Sequence, residues 1–296
     1  MDLTRKLEGL QYWLFKQSET KGKGTMKRMN YIVIRYNIVS SVMSAWKSSK
    51  QGFKKHQGLI FASERMNTHF TLLKNVTLPS INHQVDIDFS ALKVLLVTSK
   101  SLPISEKEKI YNLLKIYSWL EIYELEDDAS YSDFDNLVIN DIKSKGESII
   151  FSTTRLDDDD AISNDFIKEL DKKVIPANIG LAVSFSKGLA GFYDINDCNY
   201  VGLYSYIFRL NAQGLSFINS YEFSSNSFKE YPKVTVYQLG SHTKVDEISP
   251  VIVDSRNHMW IRTIHSHSDA YHKDFQSLAK GRNYILEDTI KQKFYF

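Results

Sequence analysis

The sequence contains very few of the residues that define disulfide-rich or linker-rich proteins. Its 296 residues include one cysteine, Cys198, and five prolines. One cysteine cannot form an intramolecular disulfide, which excludes a disulfide-stapled miniprotein. No secretory signal opens the chain, so we expect a reducing, cytoplasmic setting. The scarcity of proline favours a compact body over a chain rich in linkers.

Long apolar runs and an excess of one charge are also missing. No window of 18 residues is both apolar and uncharged, so the sequence predicts no transmembrane helix. Lys and Arg number 37 against 35 Asp and Glu, for a net charge of +2. Since the basic residues are scattered, we expect no nucleic-acid partner. Apolar residues make up 43% of the chain, enough at this length for a sizeable core.

Residues 1–29 form a basic, amphipathic N-terminal extension. Leucines recur at helical spacing, which predicts a short helix over 3–17. Seven Lys or Arg against three Asp or Glu make the extension positive. It could therefore contact an anionic membrane surface as a peripheral element. Packing on the body or on a second subunit is the alternative.

Strands alternate with helices in the next part of the chain. We expect strands at 31–36, 92–97, 122–125 and 148–152, and helices at 63–78, 106–119 and 162–172. Pro79 should end or kink the first of these helices. The alternation predicts an α/β fold with a mostly parallel central sheet flanked by helices. Beyond residue 180 we expect strands at 180–185, 191–193 and 234–239, and helices at 201–211 and 274–293.

Four consecutive aspartates, Asp157, Asp158, Asp159 and Asp160, follow the strand at 148–152. Neighbouring carboxylates repel one another unless solvent or a cation neutralises them. In open α/β sheets, ligands bind at the carboxyl ends of strands. Alternate side chains of an extended segment share a side, so Asp157 and Asp159 can face one ligand. We interpret the block as a Mg²⁺ or Mn²⁺ site that holds a diphosphate. A solvated turn or a helix cap is the alternative.

Histidines cluster near the end of the chain, where five of the eight lie between His242 and His272. Segment 259–267 alternates bulky and polar residues, which predicts a strand with His265 and His267 on one side. Imidazole suits Mn²⁺ or Zn²⁺ better than Mg²⁺, and a polar strand edge is the alternative. The chain contains no glycine-rich phosphate loop and no Gly-x-Ser-x-Gly turn.

Four segments carry a family resemblance when they are taken in order. They are Glu64-Arg65-Met66 with Phe70 and Thr77-Leu78-Pro79-Ser80-Ile81 with Gln84; Thr154-Arg155-Leu156-Asp157-Asp158-Asp159-Asp160-Ala161 with Asp165-Phe166-Ile167; Ser184-Phe185-Ser186-Lys187-Gly188; and Trp260-Ile261-Arg262-Thr263-Ile264-His265 with Ser268. Over about residues 30 to 272 the chain resembles the bacterial putative rhamnosyltransferase family, a group of GT-A-like glycosyltransferases. The aspartate segment is the most specific of the four.

The resemblance implies a GT-A-like, Rossmann-related fold in one domain. It implies a metal-dependent transfer of a sugar, with rhamnose as candidate, from a nucleotide-diphosphate donor to a cell-surface glycan or glycolipid. Residues 30–175 would then bind the nucleotide sugar, and residues 176–296 would form a smaller, mixed acceptor half with a C-terminal helix. Such a reaction would take place in the cytoplasm, at the inner face of the membrane.

The resemblance also implies roles for individual residues. Asp159 would be the main ligand of Mn²⁺ or Mg²⁺, Asp157 would contact the metal or the ribose, and His265 would be the late ligand. The family often has Asn where this chain has Asp158 and Ser268.

Five further side chains are candidates for contact with the substrates. We expect Arg35, Arg65 and Arg155, together with Asp158, to contact the donor, because guanidinium groups bind phosphate well. If the transfer inverts the anomeric centre, a carboxylate must deprotonate the acceptor, and Glu222 is the candidate. Ordinary surface ion pairs and a structural glutamate are the alternatives.

Two other functions would also gather carboxylates and histidines at a sheet edge. One is a metal-dependent phosphohydrolase or nucleotidyltransferase, which would act on simple phosphoesters or nucleotides. The other is a non-catalytic module in which the aspartates form a Ca²⁺-binding turn.

Overall fold

The computed structural model describes residues 26–40, 52–268, 283–285 and 290–295. The expected helix at 3–17 lies outside the described residues, and so does most of the expected helix at 274–293. Across the described part of the chain, no helix is both long and apolar enough to cross a bilayer.

Strands and helices alternate along the first part of the chain. The strands of the described residues are β1 (Lys27–Arg35), β2 (Leu92–Ser99), β3 (Leu120–Leu125), β4 (Ile149–Asp157), β5 (Ala161–Ile162), β6 (Ala182–Phe185), β7 (Lys187–Asp194), β8 (Asn199–Ile207), β9 (Ser216–Glu222), β10 (Ser227–Phe228), β11 (Val251–Asp254) and β12 (Trp260–Ile264). The α-helices are α1 (Phe53–Ile60), α2 (Ser63–Leu72), α3 (Leu78–Asn82), α4 (Ile104–Leu113), α5 (Tyr131–Ser144) and α6 (Phe166–Asp171).

An eight-stranded sheet forms the centre of the fold, in the order β11-β6-β9-β4-β1-β2-β3 with β10 beside β9. β1 pairs in parallel with both β2 and β4, and β3 extends this parallel region. Side chains on the two faces of β1 enter different hydrophobic clusters. One cluster includes α5, and the other includes α4 and α6. The predicted α/β class, with a mostly parallel central sheet and flanking helices, is confirmed.

A second, four-stranded sheet has the order β5-β12-β7-β8. β5 immediately follows the aspartate block and pairs with the start of β12. The end of β4 and the end of β12 are therefore held close together, although about a hundred residues separate them in sequence. This connection places the aspartates beside His265.

The sequence predictions fail at several elements after β4. The expected helix at 201–211 is wrong, because those residues form β8, which pairs antiparallel with β7. The expected strand at 234–239 is also wrong, because Val236–Leu239 is a 3₁₀ turn. The helix predicted from residue 162 begins only at Phe166. In the first case a short run of apolar and aromatic residues was compatible with either structure, and pairing with β7 decided for a strand.

Pro79 does not end the helix that precedes it. After α2 the chain makes a π-helical turn, Leu73–Thr77, and continues directly into α3. Pro79 lies in the first turn of α3, where a missing backbone N–H is tolerated. The wider turn therefore lets the helix continue past a residue that otherwise interrupts helices.

Residues on both sides of position 175 contribute to the central sheet. β6, β9, β10 and β11 belong to the second half of the chain and join strands from the first half. The assignment of the two halves to donor and acceptor stays a prediction.

Candidate active site

The site lies where β1 and β4 end. Arg35, the last residue of β1, is paired in register with Asp157, the last residue of β4. A cavity of about 530 Å³ opens over this edge of the sheet. It is lined by the four aspartates, by Arg35, Arg65 and His69, and by Arg262 from β12. The carboxyl ends of parallel strands thus form the floor of the cavity, as the sequence predicts.

Asp157 is held between two guanidinium groups. Arg35 Nη2 donates to Asp157 Oδ1 at 2.6 Å, and Arg155 Nη2 lies 3.5 Å from Oδ2. Burial alone would raise the pKa of Asp157, but the charges of Arg155 and Arg35 outweigh burial and hold the pKa well below its usual range. The structure brings these three predicted residues together. Because both carboxylate oxygens face arginines, Asp157 is placed to orient those arginines rather than to bind a metal ion.

Asp158 contacts a histidine that the sequence analysis did not select. Both carboxylate oxygens lie 3.0 Å from His69 Nδ1, and both residues are buried. Since a carboxylate only accepts, Nδ1 must carry a proton. His69 Nε2 is buried and makes no hydrogen bond within the described residues. No sequence signal marks His69, which lies on α2, 89 residues before its partner.

Asp159 and His265 meet as the sequence analysis expects. His265 Nε2 lies 3.1 Å from Asp159 Oδ2, and the imidazole is fully buried. The backbone N–H of His267 donates to His265 Nδ1 at 3.3 Å, so in the neutral ring the proton belongs on Nε2. Ser268 donates to the His265 carbonyl at 2.9 Å. The ring of His69 packs edge-on against His265, with centroids 5.5 Å apart.

Asp160 joins the two sheets. Its Oδ1 accepts the backbone N–H of Thr263 at 2.9 Å. Burial, and then the charges of Asp159 and Asp157, raise the pKa of Asp160 well above its ordinary value. The buried carboxyl group therefore fixes the end of the aspartate block against β12, which keeps Asp159 and His265 in register.

The donor set fits a divalent cation that has only two protein ligands. Within the described residues, no three His, Cys, Asp or Glu side chains are grouped to hold one metal ion. Asp159 and His265 nevertheless direct one oxygen and one nitrogen to the same point. Mg²⁺ in phosphate sites is commonly held by one or two carboxylates, with phosphate oxygens and water as the remaining ligands. An ion at this point would take the place of the Nε2 proton.

Of the remaining predicted residues, Arg65 lies in the cavity with Asp159, and Glu222 lies far from it. Arg65 lines the cavity from α2, and its Nη1 donates to Asn37 Oδ1 at 2.5 Å. Glu222 lies elsewhere, because its neighbour Tyr221 pairs with Ile149 at the start of β4. The length of β4, roughly 26 Å, separates that end from Asp157. Glu222 accepts from Ser148 Oγ at 2.6 Å on the exposed edge, so the expected catalytic role does not agree with its position.

Sequence reasoning also gave no role to Arg262. It lies on β12, three residues before His265, and its side chain lines the cavity. A basic residue on the predicted strand that carries His265 was the signal that could have identified it.

Comparisons with known proteins agree with the resemblance seen in the sequence. The model of the family described as "Putative rhamnosyl transferase" matches residues 31–277. No curated protein matches the chain. Among solved structures, S. aureus TarS 1-349 is similar, with 14% identity and a TM-score of 0.40, over 80% of this chain and 60% of that chain.

Two further solved structures were obtained with bound molecules. TarS 1-349 in complex with UDP has 13% identity and a TM-score of 0.38, over 81% of this chain and 61% of that chain. The mannosyltransferase PcManGT from Pyrobaculum calidifontis, in complex with GDP-Man and Mn²⁺, has 13% identity and a TM-score of 0.43, over 89% of this chain and 66% of that chain. The chain thus spans about three fifths of the TarS 1-349 chain.

Proposed function

Because this chain belongs to the putative rhamnosyl transferase family and is a glycosyltransferase, we propose that it moves a sugar from a nucleoside-diphosphate donor in a reaction that depends on Mn²⁺ or Mg²⁺. Rhamnose is the proposed sugar, and a glycan or glycolipid is the proposed acceptor. The observation that supports the proposal most directly is the approach of Asp159, which lines the cavity, to the buried His265.

Each part of the cavity suits one part of such a donor. A divalent cation on Asp159 and His265 would act as a Lewis acid toward the departing diphosphate. Arg35 and Arg155 carry two positive charges, and Asp157 neutralises one of them. The three side chains together therefore leave a net positive charge that attracts the diphosphate. Ile38 and other apolar side chains line the same cavity, and such surface suits a nucleoside.

The acceptor must deliver a hydroxyl group to the same cavity. Since Glu222 lies at the far end of β4, it is not proposed as the base. We propose that the reaction occurs on the cytoplasmic side, where nucleotide sugars are found. Contact of residues 1–29 with the membrane stays a prediction, because residues 1–25 lie outside the described residues.

The experiment compares nucleoside-diphosphate release by the wild-type chain and by Asp159→Ala. Each protein is incubated with a panel of nucleotide sugars, with Mn²⁺ or with a chelator. We expect release by the wild type with Mn²⁺ only, and a loss of at least about a hundredfold in Asp159→Ala. Asp197→Ala removes an exposed carboxylate from the β7–β8 turn and should behave as wild type.

Three kinds of result would contradict the proposal. Full release by Asp159→Ala, or by the wild type in excess chelator, would remove the metal site from the mechanism. Release of inorganic phosphate from simple phosphoesters, with no turnover of any nucleotide sugar, would indicate a phosphohydrolase. Stabilisation by Ca²⁺ alone, without turnover, would indicate a binding module.

A further inference from the structure

Arg35, Arg65 and Arg262 line the cavity, and Arg155 lies beside Asp157 next to it. Three of these four arginines are engaged by protein groups. Arg35 and Arg155 face Asp157, and Arg65 donates to Asn37. These three are the arginines that the sequence analysis selected for the donor. Asp157 therefore neutralises part of the charge of Arg35 and Arg155, and Asn37 occupies one N–H donor of Arg65.

Arg262 is different. Its side chain is partly buried on β12, and its guanidinium makes no hydrogen bond or ion pair to any residue that the structure describes. Desolvating a guanidinium without a partner is costly. An anion is the group that this part of the cavity lacks.

No acidic side chain among the described residues that line the cavity is paired with Arg262. Each of the four aspartates in the cavity already has a partner. In order from Asp157 to Asp160, these partners are Arg35, His69, His265 and the Thr263 N–H. The fifth acidic lining residue, Glu64, is exposed on α2 and makes no ion pair within the described residues. Within the described residues Arg262 therefore has no anionic partner, and an anionic ligand in the cavity would supply one.

We propose that Arg262 binds the diphosphate of the donor directly, and that this contact does not require the divalent cation. The inference rests on the proposed function, since it names a second anchor for the same ligand. A guanidinium presents paired N–H donors whose geometry matches two phosphate oxygens, and its charge persists at any working pH. The diphosphate would thus be held by Arg262 and by the ion on Asp159 and His265 independently.

The proposal predicts a part of nucleotide affinity that survives metal removal. Binding of UDP, GDP and dTDP is measured by calorimetry in Mn²⁺ and in EDTA. The wild type should retain measurable binding of one of them in EDTA. Arg262→Gln should weaken it roughly 10- to 100-fold, and Arg262→Lys should be intermediate because a single ammonium cannot make the paired contact. Binding of the matching nucleoside should not change.

Arg209→Gln is the matched control. It removes the same charge from an exposed arginine that pairs with Asp246 outside the cavity, so affinity should stay as in wild type. Equal affinities of wild type and Arg262→Gln in EDTA would overturn the inference and leave the proposed function intact. So would wild-type binding that vanishes completely in EDTA. If the wild type binds no nucleoside diphosphate in either buffer, the proposed function itself fails. Arg262→Lys gives the decisive comparison if Arg262→Gln does not fold.

Discussion

Replacing Asp157 by Asn tests whether the aspartate block holds the site together through its arginines. In the native structure one carboxylate faces both Arg35 Nη2, at 2.6 Å, and Arg155 Nη2, at 3.5 Å. The Arg35 side chain is only 9% exposed. Asp157→Asn keeps the shape of the side chain and removes its charge. The two neighbouring guanidinium groups then lose the charge of this carboxylate.

The expected cost is about 2 to 4 kcal/mol in the free energy of unfolding. Breaking a fully buried ion pair costs about 3 to 5 kcal/mol. The lower range applies here because the Asp157 side chain is 29% exposed and water screens part of the charge. At about 2 to 4 °C per kcal/mol for a chain of this size, the melting temperature should fall by roughly 4 to 16 °C. Asp159→Asn should cost less than about 1 kcal/mol, because it also relieves repulsion within the block.

The loss of stability caused by Asp157→Asn should become smaller as the pH falls. The pKa of Asp157 is lower in the folded state than in the unfolded chain. Its stabilisation is therefore complete above the unfolded pKa, about 3.9, and is lost as the pH falls below that value. Urea denaturation at pH 7, 5, 4 and 3 should show the difference between wild type and Asp157→Asn shrinking below pH 4. A difference that stays constant from pH 7 to pH 3 would refute the role of the ionised carboxylate.

Two further substitutions test the surroundings of the site by thermal denaturation. His69→Ala leaves Asp158, which is 5% exposed, without its imidazole partner and should lower the free energy of unfolding by about 1 to 3 kcal/mol. His69→Gln should recover part of this loss. An unchanged midpoint of thermal denaturation in His69→Ala would contradict the contact. Gly188→Ala would place a Cβ 2.2 Å from Trp260 Cδ2 and should destabilise the chain by about 1 to 3 kcal/mol, with a change in tryptophan fluorescence. Gly58→Ala on α1, where a Cβ meets nothing within 4 Å, is the control and should stabilise the chain by up to about 1 kcal/mol. If Gly188→Ala and Gly58→Ala have the same effect on stability, the close packing at Trp260 is wrong.

The parallel core of the fold could be predicted because burial on both faces leaves a direct signature. Residues 29–34 of β1 are all buried, which the β-rich run at 31–36 indicates. The meeting of Asp159 with His265 was also predictable, although the two lie 106 residues apart. Both follow predicted strands, and the resemblance to the family assigned them one ion.

The failures have a different physical origin. Residues 201–207 carry apolar side chains that suit a helix or a strand, and pairing with β7 decided for a strand. His69 lies on a helix and Glu222 on a strand, and nothing local shows which end of the sheet each will reach. Glu222 was expected in the site because it is a carboxylate in the second half of the chain. The antiparallel direction of β9 relative to β4 carries it to the opposite edge.

The contacts of the aspartate block decide whether the fold itself needs a metal ion. Four adjacent carboxylates repel one another unless their charges are compensated. In the folded chain, however, two arginines, one histidine and a backbone N–H already compensate three of them, and His265 donates to the fourth, Asp159. The fold therefore does not require the ion for its own stability. With only two protein ligands available, an ion gains most of its remaining ligands from the substrate, so we expect cation and diphosphate to bind more tightly together than either binds alone.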